Sequence, residues 1–167
     1  MTLIRKNIVP IIITLLINIV LDRLTKLIAI IYLKGKSAIS FINNIIILEY
    51  TENNGAFLSL GSNWPIVVKY IILLIIPIIV CLAVLWYCIC KEKNKSRSIL
   101  LATIVSGGLG NLFDRLFNRF YVVDFMNFGI GQIRTGVLNV ADLSVTFGVV
   151  ALIIYELKMN GRTDKKE

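Results

Sequence analysis

The chain has 167 residues, the length of one domain, and an apolar composition, with 57% hydrophobic residues and a mean hydropathy of +0.81. This apolar fraction excludes an ordinary soluble domain of this size. The sequence has no histidine, which excludes Ser-His-Asp and Cys-His catalysis and histidine-based zinc sites. The net charge of +8 would suit nucleic-acid binding, but its distribution along the chain indicates a different cause.

Four apolar stretches are each long enough to cross a bilayer core of about 30 Å. They cover approximately residues 8–33, 66–90, 98–118 and 137–157. We therefore predict an all-α polytopic membrane protein with four transmembrane helices, formed by one domain over residues 1–167. The first stretch follows Arg5 and Lys6, as a signal peptide would, but the charged sequence DRLTK interrupts it and no cleavage site follows. A retained helix is therefore favoured.

The basic residues predict the orientation of these helices. Ten lie on the side of the two termini, and five lie on the other side, at Lys34, Lys36, Lys69, Arg119 and Arg134. Basic residues accumulate on the cytoplasmic side of membrane proteins, so we expect both termini in the cytoplasm. The positive charge is then explained by topology, and no nucleic-acid partner is expected.

The first extracytoplasmic segment, residues 34–65, is long and partly apolar. The β-branched run Ile45–Leu48 is followed by the turn sequence ENNG, a pattern typical of a short strand and hairpin. We predict a small β element between helices 1 and 2, lying over the outer ends of the helices. The alternative is a disordered connector. A disordered segment this apolar would be exposed to water and prone to association, unless it packed on protein or membrane.

Three cysteines lie within or at the end of the second apolar stretch: Cys81, Cys88 and Cys90. An odd number of cysteines in a membrane span predicts no disulfide framework. Packing of the thiols, or at most lipidation of Cys88 or Cys90, is favoured over metal binding.

Polar side chains within the spans fall at one depth. With a rise of about 1.5 Å per residue, Asp22 lies about 21 Å into the first span, in the outer half of the membrane. The same estimate places six further polar residues in this layer: Lys26, Asn111, Asp114, Asp124, Asn139 and Asp142. Charged residues within a membrane are costly and usually functional, so the layer is a candidate site.

Local pairing offers a structural explanation for some of these charges. Asp22 and Lys26 are spaced i, i+4 and can neutralise each other. Asp114 and Arg115 can form a second local pair, next to a packing face that begins at Gly107. This alternative stays open for these four charged residues.

Asp124 and Asp142 have no such partner on their own segments. They are 18 residues apart, and a hairpin between the third and fourth helices would bring them to the same level. Two close carboxylates in a poorly solvated site share one proton, so the pair can act as general base and general acid, as in aspartic proteases. Intramembrane carboxylates also serve small proton- or cation-coupled transporters, and the residues alone leave both functions open.

Five sequence blocks, in order over nearly the whole chain, resemble those of bacterial lipoprotein signal peptidase (signal peptidase II), an intramembrane aspartic protease family. They are DRLTK (22–26), NNGAF (53–57), GGLGNLFDR (107–115), VVDF (122–125) and NVAD (139–142). The resemblance implies that Asp124 and Asp142 are the catalytic pair, with no cofactor and no metal. It implies supporting roles for Asp22, Lys26, Asn53, Gly55, Asn111, Asp114, Arg115 and Asn139.

The same resemblance implies a substrate and a location. The substrates would be diacylglyceryl-modified prolipoproteins, cut on the N-terminal side of the lipidated cysteine at the outer face of the bacterial cytoplasmic membrane, in contact with membrane lipid and without an obligate protein partner. Two positions depart from the family pattern: Phe57 comes one residue early in its block, and Leu138 stands where phenylalanine is usual.

Overall fold

The computed structural model describes residues 4–56 and 59–163 of the chain. Within these residues, four helical segments are long and apolar enough to cross a membrane. They are α1 (Ile4–Tyr32), the segment Ile66–Cys90, α4 (Lys95–Phe117) and α5 (Val140–Thr163). Large apolar side chains such as Ile17, Leu82 and Phe147 point outward and are more than half exposed, the arrangement that lipid favours. The protein is a multi-pass membrane protein, as predicted.

The second span is not a uniform α-helix. It begins as α2 (Ile66–Lys69), widens into a π-helical turn (Tyr70–Ile75) and continues as α3 (Ile76–Cys90). Pro77 has no N–H to donate to the carbonyl of Leu73, and its ring crowds that carbonyl, which favours the local widening.

A four-stranded antiparallel sheet caps one end of the helices, in the order β1–β2–β3–β4. The strands are β1 (Ile39–Phe41), β2 (Ile46–Asn53), β3 (Val122–Ile130) and β4 (Ile133–Leu138). The first two strands confirm the β element predicted between helices 1 and 2. The other two form a hairpin between α4 and α5 that the sequence analysis did not predict.

This second hairpin also shifts the start of the last helix. The sequence analysis placed the helix from residue 137, but Val137 and Leu138 pair with β3 and α5 begins at Val140. The run of apolar residues hid the boundary because it continues from strand into helix without a polar break.

Helix α4 lies at the centre of the bundle and packs on α1, α3 and α5. Its contact with α5 is close because Gly107 has no side chain, and a Cβ atom there would lie 2.3 Å from the carbonyl oxygen of Ala141. Such small-residue contacts let transmembrane backbones approach each other. At the sheet end, this contact places the first turn of α5 beside the polar residues of α4.

Candidate active site

Asp124 lies on β3, opposite Thr51 of β2, and its side chain is buried, with the residue 2% exposed. One carboxylate oxygen, Oδ1, accepts a hydrogen bond from Asn139 Nδ2 at 2.6 Å. The other, Oδ2, accepts one from Asn53 Nδ2 at 3.0 Å. Two amide groups from different segments therefore fix the orientation of this carboxylate.

Asp142 lies in the first turn of α5 and forms a reciprocal capping arrangement with Asn139. Asn139 Oδ1 accepts from the backbone N–H of Asp142 at 2.9 Å, and Asp142 Oδ2 accepts from the backbone N–H of Asn139 at 3.1 Å. Such pairs satisfy the free N–H groups at the start of a helix. Asn139 thus begins α5 and also joins the segments that carry the two acids.

Asn111 on α4 completes the hydrogen bonding of Asp142. Its Nδ2 donates to Asp142 Oδ1 at 2.8 Å, while its Oδ1 accepts from Asn139 Nδ2 at 3.0 Å and from Lys26 Nζ at 3.1 Å. Three asparagine side chains therefore hold the two aspartates. All five residues belong to the sequence blocks that resemble the family.

Both carboxyl groups line one cavity of about 210 Å³. Its other polar lining comes from Asn53, Asn111 and Arg115, and its apolar walls come from Leu73, Pro77, Leu112, Val122, Val137 and Leu138. The cavity is large enough for several water molecules, since one water occupies about 30 Å³ in the liquid. A scissile bond and an attacking water could therefore reach both acids together.

The electrostatics of the site favour retention of a proton. Burial, and then the negative charge of Asp142, raise the pKa of Asp124 to about 6, against the opposing hydrogen bonds from Asn53 and Asn139 and the positive charge of Lys26. Two acids that share such a cavity lose their protons in two separate steps, so the pair keeps one proton up to about pH 6. The arrangement can thus supply one carboxylate as a base and one carboxyl group as an acid.

Comparison with known proteins gives a consistent answer. A family model described as signal peptidase (SPase) II matches residues 13–158. The lipoprotein signal peptidase of Borrelia duttonii is 37% identical over 158 residues, which cover 92% of each chain. That of Clostridium tetani is 35% identical over 157 residues, which cover 93% of this chain and 97% of the other. The chain belongs to the signal peptidase II family.

A solved structure described as a bacterial membrane enzyme has a similar fold, with a TM-score of 0.80 and 29% identity. The similarity covers 96% of this chain and 94% of the other. Sequence and fold thus agree over almost the full length, and the chain is a peptidase of this family.

Four charged residues beside the asparagines of this signal peptidase II chain form a buried ion cluster. Lys26 Nζ lies 3.0 Å from Asp22 Oδ2 and 2.7 Å from Asp114 Oδ2, and Arg23 binds the same two carboxylates. Asp22 Oδ1 also accepts from the backbone N–H of Ala141, so α1 helps to cap α5. The local pair of Asp22 and Lys26 is observed, but as part of this larger cluster.

The expected local pair of Asp114 and Arg115 is not observed. Asp114 pairs with Arg23 and Lys26, because α1 packs on that face of α4, whereas Arg115 turns towards the cavity. Arg115 Nη2 donates to the carbonyl oxygen of Gly55 at 2.7 Å.

Gly55 lies in a tight loop that only a glycine fits. A Cβ atom there would lie 2.7 Å from backbone atoms of Ser59 and Leu60. Its N–H donates to Asn53 Oδ1 at 2.9 Å, which helps to aim the Asn53 amide at Asp124. Phe57, the departure from the family pattern in this loop, lies outside the described residues, and Leu138, the other departure, lines the cavity.

Sequence reasoning missed two features of the site. Arg23 belongs to the DRLTK block, but the sequence analysis assigns it no role, although it pairs with both carboxylates of the ion cluster. Its position next to Asp22, at the depth of the polar layer, was the available signal. The π-helical turn that brings Leu73 to the cavity was also missed, and Pro77 in the middle of an apolar span was its signal.

Proposed function

We propose that this chain is an aspartic endopeptidase that removes the signal peptide from diacylglyceryl-modified prolipoproteins, on the N-terminal side of the lipidated cysteine. The observation that carries the proposal is the pair Asp124 and Asp142, whose oxygens are held by three asparagines around one cavity. The lipoprotein signal peptidases reported above supply the substrate class, and residues 1–167 would act as one peptidase domain.

The proposed mechanism uses the single proton of the pair. The ionised carboxylate accepts a proton from water as the water oxygen attacks the carbonyl carbon, and the protonated partner donates its proton to the carbonyl oxygen. The tetrahedral intermediate then collapses and the C–N bond breaks. The leaving nitrogen takes the proton that came from water, and the hydroxyl that re-forms the carbonyl returns its proton to the partner carboxylate. The asparagine amides keep both carboxyl groups in place throughout, which preserves the geometry without reorganisation.

The supporting residues have structural roles in this proposal. Ion pairs of Lys26 with Asp22 and Asp114 hold α1 and α4 together next to the two acids. Asn111 links this ion cluster to Asp142, because it contacts both Lys26 and Asp142. Arg115 holds the carbonyl of Gly55, whose N–H in turn holds the Asn53 side chain at the end of β2. Arg115 also presents a buried Nε–H, which has no hydrogen-bond acceptor among the described residues, beside the cavity.

We place the protein in the bacterial cytoplasmic membrane with both termini in the cytoplasm and the cavity towards the outer face. The excess of basic residues beside the termini supports this orientation. In a cysteine-free background, a cysteine at Lys93 should react only with permeant reagents and one at Asn63 with impermeant reagents. The reverse pattern would place the site on the wrong face for such a substrate.

The function is tested by incubating the purified protein with a diacylglyceryl-modified precursor in the presence of a strong chelator. We expect cleavage before the lipidated cysteine and no cleavage of the unmodified precursor. The named relatives reported above are peptidases, which favours this outcome over a proton- or cation-coupled transporter. Ion flux in liposomes without peptide cleavage would overturn the proposal.

A further inference from the structure

A second cavity, larger than the first at about 520 Å³, lies between α1, α4 and the sheet. We call it the α1–α4 groove. Neighbouring residues of β3 point to opposite faces of the sheet, so Val123 lines the groove whereas Asp124 lines the candidate active site. The groove is therefore a separate site, and the mechanism proposed above does not use it.

The walls of the groove are apolar and open towards lipid. Leu27 and Ile30 of α1 face Phe113 and Phe117 of α4, which are 47% and 72% exposed. The phenylalanine rings pack on each other at 4.6 Å between centroids. An acyl chain would meet a continuous apolar surface between these two helices.

The inner end of the groove is polar but balanced in charge. Arg23 and Lys26 meet the two carboxylates of Asp22 and Asp114, so the cluster carries no net charge. Arg23 is the exposed member, with 24% of its side chain accessible. Four of its five N–H groups have acceptors, and one N–H of Nη1 has none among the described residues.

The outer end of the groove is also polar and balanced. Lys34 Nζ donates to Glu52 Oε1 at 2.8 Å and lies over the Tyr50 ring. The Tyr50 hydroxyl donates to the same oxygen at 2.7 Å. Within the described part of the chain, Glu52 Oε2 accepts no hydrogen bond and Lys34 has two N–H groups left over. The outer end of the groove therefore has a cationic hydrogen-bond donor, Lys34, next to an anionic acceptor, Glu52.

We propose that the α1–α4 groove binds one zwitterionic glycerophospholipid from the leaflet on the sheet side. The phosphate accepts from Lys34, the ammonium group of the headgroup meets Glu52 and the Tyr50 ring, and an acyl chain lies between Ile30 and Phe117. A zwitterion fits because both ends of the groove are neutral as a whole, whereas an anionic headgroup would bring an uncompensated charge.

Native mass spectrometry of the full chain, released from detergent with added phosphatidylethanolamine, phosphatidylcholine or phosphatidylglycerol, tests the proposal. We expect one zwitterionic lipid to stay bound under activation that strips phosphatidylglycerol. Equal or stronger retention of phosphatidylglycerol would overturn the proposed charge match.

Two substitutions, each with a matched control, locate the binding. Ile30→Trp fills the groove and should abolish retention, whereas Ile31→Trp, on the lipid-facing side of the same helix, should not. Glu52→Gln should weaken lipid retention about tenfold, because one charge-assisted hydrogen bond is lost. Glu49→Gln on the same strand lies outside the groove and should leave retention unchanged. If lipid retention is unchanged in Ile30→Trp and Glu52→Gln, the lipid binds only non-specifically, which would contradict the proposed binding site.

Discussion

Asn139 Nδ2 donates a hydrogen bond to Asp124 Oδ1 at 2.6 Å, which joins the start of α5 to the third strand of the sheet. The same asparagine caps the helix that carries Asp142. One side chain therefore serves both the stability of the fold and the geometry of the acids, and the two roles can be separated by substitution.

Asn139→Ser and Asn139→Ala should differ in stability but not in activity. Serine keeps an oxygen that can cap α5, whereas alanine loses the cap, so Asn139→Ala should be less stable than Asn139→Ser by about 1 kcal/mol. Both variants lose the amide that holds Asp124, so both should lose most of the turnover. Thermal unfolding in detergent and cleavage assays measure the two effects, and wild-type turnover in Asn139→Ser would contradict the role given to the amide.

The pH dependence of kcat/KM should reflect the shared proton. The pKa of Asp124 is raised to about 6, so the free enzyme loses the proton of the pair as the pH rises through this value. We expect the alkaline limb of the kcat/KM profile to have an apparent pKa near 6, which belongs to the pair rather than to one residue. A profile that is flat between pH 5 and 8 would argue against acid catalysis by this pair.

Stability should depend on the same proton in a defined direction. Because the folded protein raises the pKa of Asp124 from 3.8 to about 6, the stabilisation by its proton is complete below pH 3.8 and lost as the pH rises through 6. Asp124→Asn cannot ionise, so at pH 7.5 its free energy of unfolding should exceed that of the wild type. The gain is up to about 3 kcal/mol, less about 1 kcal/mol for one of the two hydrogen bonds from Asn53 and Asn139 that an amide cannot accept. This advantage of the variant should be lost near pH 4, and a difference in unfolding free energy that is independent of pH would contradict the assignment.

Two ion pairs in different environments should respond differently to neutralisation. Asp114→Asn leaves Arg23 and Lys26 with one carboxylate fewer in a buried cluster, and should cost about 3 kcal/mol of stability together with activity. Glu156→Gln breaks a pair with Arg97 whose side chains are about one third exposed, and should cost less than about 1 kcal/mol. Unfolding in detergent compares the two variants, and equal losses would contradict the burial of the Asp114 cluster.

The transmembrane helices could be predicted from sequence because a bilayer requires long apolar segments, which few other structures contain. The convergence of Asp22, Asn111 and Asp142 at one depth followed from the helical rise alone. The β3–β4 hairpin could not be predicted in this way, because Val137 and Leu138 are as apolar as the helix that follows them. The partners of Asp114 could not be predicted either, because they depend on which face of α4 meets α1.

The contacts of Asn111 show where sequence reasoning reaches its limit. Its place on a polar stripe of α4 could be read from helical spacing. Its simultaneous bonds to Lys26, Asn139 and Asp142 join three helices, and only the packed structure supplies them.

We propose that Asp124 and Asp142 act as one unit, and the double substitution tests this proposal most directly. Asp124→Asn, Asp142→Asn and the double variant should all fold into the membrane. Cleavage of a diacylglyceryl-modified precursor is measured for each against Glu49→Gln, the same carboxyl-to-amide change at a residue of β2 away from the cavity. We expect both single variants to lose nearly all turnover and the double variant to be little worse than either, because neither acid suffices alone. Substantial cleavage by either single variant, or losses that multiply in the double variant, would contradict a shared-proton pair.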